Sequence, residues 1–294
     1  MNGIIIRSLG GSYTVEAPEG VYECAARGIF RKKGISPVCG DKVEISFEKD
    51  GAAVIDKIYE RRSFIVRPPL ANLDVLVLVS STVDPKPNTL IIDKFTAIAV
   101  YKGIRPVIVF TKIDKTQAGE LVSIYKSVGF DVYEIDNTTG EGSDELAAAL
   151  SGKLCAFTGN TGVGKSSLLN NIFPGIDLAT GETSKKLGRG RHTTRHVELF
   201  KLPGGGYVAD TPGFSSFDTN RYDIIFKDKL SGCFPEIDEL TGKCRFPDCA
   251  HIRAKGCAVL EAVEQGTVPR SRYESYVQMF EEASKLKEWE YKNE

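Results

Sequence analysis

The sequence lacks an excess of charge of either sign. Its 38 lysines and arginines face 39 aspartates and glutamates, for a net charge of -1. Such a balance carries no general signal for polyanion binding, so any contact with nucleic acid has to come from local basic patches. Long apolar runs are also missing. Stretches such as residues 75–79 are far shorter than the roughly 20 residues that span a bilayer, and we expect no membrane contact.

Cysteine is present, but without the setting typical of secreted, disulfide-bonded proteins. The seven cysteines are unevenly spaced, and the first residues, MNGIIIR, lack the charged start and apolar core of a signal peptide. This combination favours a reducing compartment, and we expect a cytoplasmic protein. With 294 residues, 41% of them hydrophobic and 26% charged, the chain is long enough for two or three globular domains.

One glycine-rich stretch has the pattern G-x-x-x-x-G-K-[ST] of a phosphate-binding loop. It lies between an apolar segment at 153–158 and a helical pattern at 166–172, and consists of Gly159, Asn160, Thr161, Gly162, Val163, Gly164, Lys165, Ser166 and Ser167. Strand, loop and helix in this order direct backbone N–H groups at one concavity, where polyphosphate binds. We expect Lys165 to reach the β- and γ-phosphates and Ser166 to bind Mg²⁺.

A second motif, D-x-x-G, occupies residues 210–213 after a predicted strand at 207–209. Asp210 is expected to hold Mg²⁺ through water, and the Gly213 N–H to sense the γ-phosphate. Four-residue matches are common, but this one ends a strand about 50 residues after the phosphate-binding loop. That placement strengthens the interpretation as a nucleotide site with Mg²⁺.

The stretch Thr111-Lys112-Ile113-Asp114 resembles the guanine-recognition motif N-K-x-D. Guanine offers N1–H and N2–H donors that one carboxylate accepts, so Asp114 is the predicted specificity residue, and Lys112 is expected to lie along the base. Threonine replaces the usual asparagine, and its hydroxyl keeps one hydrogen bond where the amide would make two. A further, weakly defined base-contact loop is expected at residues 137–140, NTTG, after the next predicted strand.

These motifs occur in an unusual order. In Ras-like GTPases the base-reading motif follows the phosphate-binding loop, whereas here it precedes that loop by about 50 residues. A cyclic shift of the same strands and helices keeps the pocket intact, because a binding site is defined in space. Alternating strands and helices from residue 74 onward predict a doubly wound α/β domain, a circularly permuted Ras-like P-loop GTPase domain, at 68–222. Pro68-Pro69 marks the predicted linker before it.

The first 67 residues have the pattern of five short strands separated by turns, at 4–7, 12–15, 21–26, 42–47 and 52–58. So many strands in so short a segment indicate a small β-barrel, and an RNA-binding OB-type barrel is the favoured interpretation. A local basic run belongs either to such an RNA surface or to an ordinary solvated loop. It consists of Arg27, Arg31, Lys32 and Lys33.

The remaining region, 223–294, is predicted to be a small zinc-binding and helical domain. Cys244, Cys249, His251 and Cys257 offer three thiolates and one imidazole within fourteen residues, a closed set typical of one structural Zn²⁺. The surrounding segment could barely build a core alone, so the metal would contribute folding energy directly. The other cysteines are predicted to be buried apolar residues, and 270–290 to form an amphipathic helix packed on the domain or on a partner.

Taken together, these features resemble the RsgA (YjeQ/YloQ) family of circularly permuted GTPases, bacterial factors in small ribosomal subunit biogenesis. The resemblance covers nearly all of the chain. It includes residues 190–194, GRHTT, which are similar to the family's switch I signature, and the same four-ligand spacing near the C-terminus. It implies a GTPase that binds the nearly mature small subunit and its rRNA and leaves after GTP hydrolysis. We expect a monomer.

The water-positioning group is the least obvious part of the predicted site. Ras-like enzymes place a glutamine just after D-x-x-G, but here that residue is Phe214, whose ring cannot orient water. We expect His192 to do so, because it lies two residues before Thr194, the expected Mg²⁺ ligand of this loop, and an imidazole suits proton transfer near neutrality. The alternative is that His192 only contacts rRNA.

Two other functions remain open at this point. One is an RNA-binding module in which GTP is only a structural ligand. The other is an ATP-dependent P-loop enzyme, against which Asp114 speaks because adenine cannot match its hydrogen-bonding pattern.

Overall fold

The computed structural model describes residues 1–175, 197–210 and 223–286. Their strands form one 11-stranded sheet and one short hairpin. None of the helices in these ranges has both the length and the apolar composition needed to cross a membrane.

The first five strands close into a small OB-like barrel, as predicted. They are β1 (Asn2–Leu9), β2 (Ser12–Ala17), β3 (Gly20–Ala26), β4 (Lys42–Phe47) and β5 (Ala53–Ile58), with the short helix α1 (Gly28–Lys32) between β3 and β4. Strand β1 pairs antiparallel with both β2 and β4, and β3 pairs in parallel with β5. Inward-facing side chains such as Ile5, Val15 and Ile55 are fully buried, because each strand turns alternate residues toward the core.

The segment around Pro68-Pro69 is a packed hairpin rather than an extended connection. Its strands are β6 (Phe64–Ile65) and β7 (Leu70–Ala71), and Leu70 is fully buried. Gly40 of the barrel lies directly against it. A Cβ on Gly40 would fall 2.0 Å from the Ala71 carbonyl oxygen, and its φ of 85° is one that other residues rarely adopt. The barrel therefore meets the next domain through close backbone contact.

Six strands form the central sheet in the order β10-β9-β8-β11-β13-β12. They are β8 (Val75–Ser81), β9 (Arg105–Thr111), β10 (Asp131–Ile135), β11 (Lys153–Thr158), β12 (Glu198–Lys201) and β13 (Gly206–Asp210). All neighbours pair in parallel except β12, which is antiparallel to β13. Strand β12 also pairs with β1 at Glu198 and Arg7, so the barrel and the central sheet form one continuous array.

Helices cover both faces of the central sheet. They are α2 (Thr89–Tyr101), α3 (Gly119–Ser127), α4 (Ser143–Leu150) and α5 (Lys165–Ile172). In β8, Leu76 and Leu78 belong to the core that includes α2 and α3, while Val75, Val77 and Val79 belong to the core with α4 and α5. A strand buried on both faces reads as a continuous apolar run. The predicted doubly wound α/β domain is confirmed.

The C-terminal region packs against α2. It contains a 3₁₀ turn (Ser231–Cys233) and the helices α6 (Pro235–Asp238), α7 (Ala258–Glu264) and α8 (Arg270–Ala283). Its core includes Phe234 and Tyr276 together with Ala97 and Ile98 of α2. The helix predicted over 270–290 is α8, but it ends at Ala283, because the next backbone bonds are short-range turns, such as that from the Leu286 N–H to the Ala283 carbonyl. Residues 287–290 lie outside the described ranges.

Candidate functional site

The predicted phosphate-binding loop connects β11 to α5 at the carboxyl edge of the central sheet. Gly162 and Gly164 have φ values of 85° and 89°, which glycine adopts without strain. Gly159 also lies tightly against β8, since a Cβ on it would fall 2.3 Å from the Val79 carbonyl oxygen. Helix α5 begins at Lys165, immediately after Gly164. The loop thus has the strand–turn–helix geometry that binds phosphate.

The predicted base-reading motif lies next to this loop. The buried Thr111 hydroxyl donates a hydrogen bond to the Val163 carbonyl, and Lys112 Nζ donates to the Gly162 carbonyl at 2.7 Å. Strands β9 and β11 are separated in the sheet only by β8, so their carboxyl ends meet at one edge. The two motifs, about 50 residues apart in the chain, therefore form one site.

The loop after β10 adds a third contact. Asn137 Nδ2 donates to the Gly164 carbonyl at 3.0 Å, so three consecutive carbonyls of the phosphate-binding loop accept hydrogen bonds from side chains of the two base-contact loops. Asn171 Nδ2 on α5 donates in return to the Asn137 carbonyl at 3.0 Å. The sequence located this loop but indicated no role for Asn137.

Asp114 lies on the turn after Thr111 and Lys112. Its carboxylate contacts Lys115 Nζ at 2.8 Å, and its side chain is 25% exposed. The hydrogen bond and charge of Asp114 raise the pKa of Lys115. The carboxylate thus stays partly open to solvent.

Lys165, in the phosphate-binding loop, interacts with the opposite charge of Asp210. Lys165 is half-buried at the start of α5, and burial lowers the pKa of its ammonium while the charge of Asp210 opposes that change. Asp210 ends β13, next to β11 in the sheet. Ser166 is half-buried in the first turn of α5, and the tip of the loop at 160–162 is exposed. A bound polyphosphate would compensate the buried ammonium directly.

A segment that the sequence did not indicate borders the site. Residues 82–88 connect β8 to α2. Lys112 Nζ donates to the Asp84 carbonyl, and the Thr82 hydroxyl donates to the Lys112 carbonyl at 2.9 Å. Pro85 lies within 3.7 Å of a Cβ placed on Gly162. Lys112 therefore joins this segment to the phosphate-binding loop. The only sequence signal for it is its position after a parallel strand.

The four predicted metal ligands come together in the C-terminal region. The ligand atoms of Cys244, Cys249, His251 and Cys257 all lie within 4.8 Å of one another. The Cys244 and Cys257 sulfurs are 3.8 Å apart, and His251 Nδ1 is 3.4 Å from the Cys244 sulfur. Two sulfurs bound to one tetrahedral zinc ion at about 2.3 Å would be about 3.8 Å apart. The cluster could hold a metal ion.

Backbone and tyrosine contacts hold this cluster in place. The Ala258 N–H donates to the Cys244 sulfur at 3.3 Å, and the His251 N–H to the Cys249 sulfur at 3.4 Å. Tyr273 on α8 donates to the His251 carbonyl at 3.0 Å. Burial lowers the pKa of His251 and raises the pKa of the Cys257 thiol to about 11. A neutral imidazole is ready to bind metal, whereas the thiol has to lose its proton to do so.

The remaining cysteines are buried, as predicted, and lie outside the cluster. They are Cys24, Cys39, Cys155 and Cys233.

Comparison with known proteins identifies the family. The family model described as RsgA GTPase matches residues 58–220, and that of the RsgA N-terminal domain matches residues 2–55. The chain belongs to the RsgA GTPase family. It is therefore a GTPase, and the expected resemblance is confirmed.

Relatives match over the full length. The Small ribosomal subunit biogenesis GTPase RsgA of Lactococcus lactis subsp. lactis is 42% identical over 305 residues, which cover 98% of this chain and 96% of the relative. The crystal structure of YjeQ from Thermotoga maritima matches with a TM-score of 0.83 at 34% identity, over 97% of this chain and 99% of that one. That of YloQ, a circularly permuted GTPase, matches with a TM-score of 0.80 at 34% identity, over 97% and 96%. These neighbours confirm the permuted RsgA fold.

Parts of the predicted site lie outside the described ranges. The stretch 190–194, with His192 and Thr194, falls in 176–196, and the D-x-x-G motif beyond Asp210, with Gly213, falls in 211–222, as does Phe214. Within the described ranges, the predicted nucleotide-site residues lie at the carboxyl edge of the central sheet.

Proposed function

We propose that this chain binds GTP with Mg²⁺ at the carboxyl edge of its central sheet and hydrolyses it to GDP and phosphate on the small ribosomal subunit, late in the maturation of that subunit. One observation carries the proposal for the site. Side chains of the two base-contact loops hold three consecutive carbonyls of the phosphate-binding loop. Base recognition and phosphate binding are thereby parts of one structure.

Each site residue has a role in this proposal. Asp114 accepts the guanine donors, with Thr111, Lys112 and Ile113 setting its loop. Lys165 binds the β- and γ-phosphates within residues 159–167. Ser166, Asp210 and Thr194 are the Mg²⁺ ligands, the Gly213 N–H senses the γ-phosphate, and His192 orients the attacking water. Mg²⁺ would offset phosphate charge, and the carboxylate and hydroxyl oxygens of Asp210 and Ser166 are the ligand type that it prefers.

The other two regions serve binding and stability. We assign residues 1–67 to an RNA-binding barrel, 68–222 to the GTPase domain, and 223–294 to a region in which Cys244, Cys249, His251 and Cys257 hold one structural Zn²⁺. Arg31, Lys32 and Lys33 are exposed on and next to α1, which supports a contact with rRNA phosphates. Arg27 differs from them, because it is paired with Asp56. A factor of ribosomal subunits acts in the cytoplasm, and we propose that it does so as a monomer.

The decisive experiment is the rate of GTP hydrolysis by the chain alone, with small subunits and with large subunits. Stimulation by small subunits only is expected. Lys165→Ala should abolish nucleotide binding and turnover. Lys153→Ala, which changes an exposed lysine at the start of β11, the strand before the phosphate-binding loop, should change neither. GTP binding without stimulated turnover would instead identify an RNA-binding module with a structural nucleotide.

Subunit binding should also depend on the nucleotide. The stretch 184–196 lies outside the described ranges but carries five lysines and arginines and no acidic residue. We propose that it contacts the γ-phosphate and Mg²⁺ in the GTP-bound state and meets rRNA phosphates. Binding to small subunits should be tighter with a non-hydrolysable GTP analogue than with GDP, and weaker at high salt. Equal affinity in both nucleotide states would show that the bound nucleotide does not control binding to the small subunit.

A further inference from the structure

Thr111, the first residue of the base-reading motif, has one donor proton fewer than the asparagine usually found there. Thr111 has a single hydroxyl proton, and the buried hydroxyl lies within hydrogen-bonding distance of the Val163 carbonyl and, at 3.3 Å, of the Ser80 carbonyl. An asparagine in this position would bring an amide with two donor protons. The neighbouring Gly164 carbonyl therefore receives nothing from Thr111.

Asn137 supplies a side-chain amide at this point. A Cβ placed on Gly164 would lie 2.7 Å from Asn137 Nδ2 and 3.6 Å from Thr111 Oγ1, so the two side chains lie side by side against the same glycine. Asn137 Nδ2 donates to the Gly164 carbonyl at 3.0 Å. The hydroxyl from one base-contact loop and the amide from the other thus bind two successive carbonyls.

The position of Asn137 is set independently of the nucleotide. Its own carbonyl accepts from Asn171 on α5. The Asp136 carboxylate accepts the Thr138 N–H at 2.7 Å, a bond that lowers the pKa of Asp136 and closes a tight turn around Asn137. The Asn137 Oδ1 atom is buried and has no hydrogen-bond partner within the described part of the chain. Its Nδ2 bond to Gly164 is therefore the contact that orients the side chain.

The Gly164 carbonyl matters because a peptide unit is planar. The Gly164 carbonyl points along α5, where it also accepts the Leu168 N–H, so the N–H of Lys165, in the same peptide unit, points toward the N-terminal end of the helix. Backbone N–H groups of the loop and of the helix N-terminus are what bind phosphate. A loop fixed in this way before the ligand arrives loses less conformational entropy on binding.

We propose that Asn137 is a positioning residue of the nucleotide site, which together with Thr111 replaces the missing asparagine of the N-K-x-D motif and couples the guanine-contact loops to the phosphate-binding loop. This inference rests on the proposed guanine-nucleotide site and names a determinant of its affinity. Asn137 acts through Gly164 and need not touch the nucleotide.

The test is the affinity and dissociation rate of fluorescent GDP for four full-length proteins: the parent, Asn137→Ser, Thr111→Asn, and the double variant. Loss of one hydrogen bond should weaken GDP binding by Asn137→Ser about five- to tenfold. The melting temperature without nucleotide should fall by no more than about 4 °C, since one hydrogen bond contributes about 1 kcal/mol and the Gly164 carbonyl still accepts the Leu168 N–H. In the double variant the new amide beside Gly164 should restore affinity to within about twofold. Asn2→Ala, which removes the acceptor of an exposed Tyr59 hydrogen bond in the barrel, is the matched asparagine control and should bind GDP like the parent.

The outcomes separate this inference from the proposed function. Equal GDP affinity for the parent and Asn137→Ser would overturn the inference and leave the nucleotide site intact. The inference would also be overturned if Asn137→Ser bound GDP more weakly and the double variant did not regain the affinity. Asn137 would then act only on the fold of its own loop. A parent chain that binds no guanine nucleotide would overturn the proposed site itself.

Discussion

Arg272 on α8 donates a hydrogen bond to the Asp93 carboxylate on α2 at 2.7 Å, and both side chains are almost completely buried. The guanidinium also donates to Glu236 at 2.7 Å. The rings of Tyr125, Phe130 and Phe234 have their centroids within 5.8 Å of it. One arginine thereby joins the C-terminal region to the nucleotide domain through buried, charged hydrogen bonds.

Replacing Arg272 with Met should destabilise the protein by about 3–5 kcal/mol, because two buried carboxylates lose their cation. Burial raises the pKa of Asp93, while Arg272 opposes that change, so the variant should raise it further. The pKa of Asp93 in the folded protein then lies above its unfolded value near 4. The free energy of unfolding therefore falls as pH rises from the unfolded pKa to the native-state pKa. The loss measured by urea unfolding should therefore be smaller at pH 5 than at pH 8.

The matched control is Lys94→Met, which breaks an ion pair of similar length, 2.6 Å to Glu282, where the glutamate side chain is 38% exposed. Such a pair contributes at most about 1 kcal/mol. If Arg272→Met cost no more than this control at either pH, the buried network would not hold the two regions together.

Asp114→Asn should abolish GTP binding and favour xanthosine triphosphate. The C2 carbonyl of xanthine suits an amide donor, whereas guanine loses its two-point contact with a carboxylate, a loss of a few kcal/mol. Competition titrations with both nucleotides measure the change. An Asp114→Asn protein that bound GTP as tightly as the parent would show that another residue reads the base.

Protein purified without added metal should contain close to one zinc ion per chain, and Cys249→Ser should lose it along with thermal stability. A closed four-ligand site contributes folding energy but offers no position for a catalytic water. Cys24→Ala, a buried cysteine outside the cluster, should keep its zinc. Atomic absorption measures the zinc content, and melting curves measure the thermal stability. A metal-free parent chain that melts at the same temperature as the zinc-loaded chain would contradict the assignment.

His192→Ala should retain GTP and small-subunit binding but lose subunit-stimulated hydrolysis by about 10²-fold, the usual contribution of a proton-transfer or water-orienting group. Intrinsic turnover should be slow in both proteins. Single-turnover rates on saturating small subunits make the comparison independent of affinity. Parental turnover by His192→Ala would leave His192 as an rRNA contact and direct attention to a group of the ribosome.

Local patterns in the sequence determined most of the architecture. Short strand-like segments separated by turns predicted the five barrel strands. Continuous apolar runs predicted the strands buried on both faces, because a strand covered on both faces carries apolar residues at successive positions. The motifs around Lys165, Asp114 and Asp210 were readable for a similar reason, since phosphate and guanine binding require particular residue types at short, fixed spacings. The same holds for the four metal ligands, which lie within fourteen residues.

Only the tertiary structure decided which side chains connect these parts. Asn137 and Gly164 are 27 residues apart, and Arg272 and Asp93 are 179 apart, so no local period or spacing links them. The role of Thr111 likewise depends on the carbonyl that its hydroxyl reaches. Such contacts arise because parallel strands bring distant loops to one edge of the sheet and because helices pack across it, which no single stretch of sequence records.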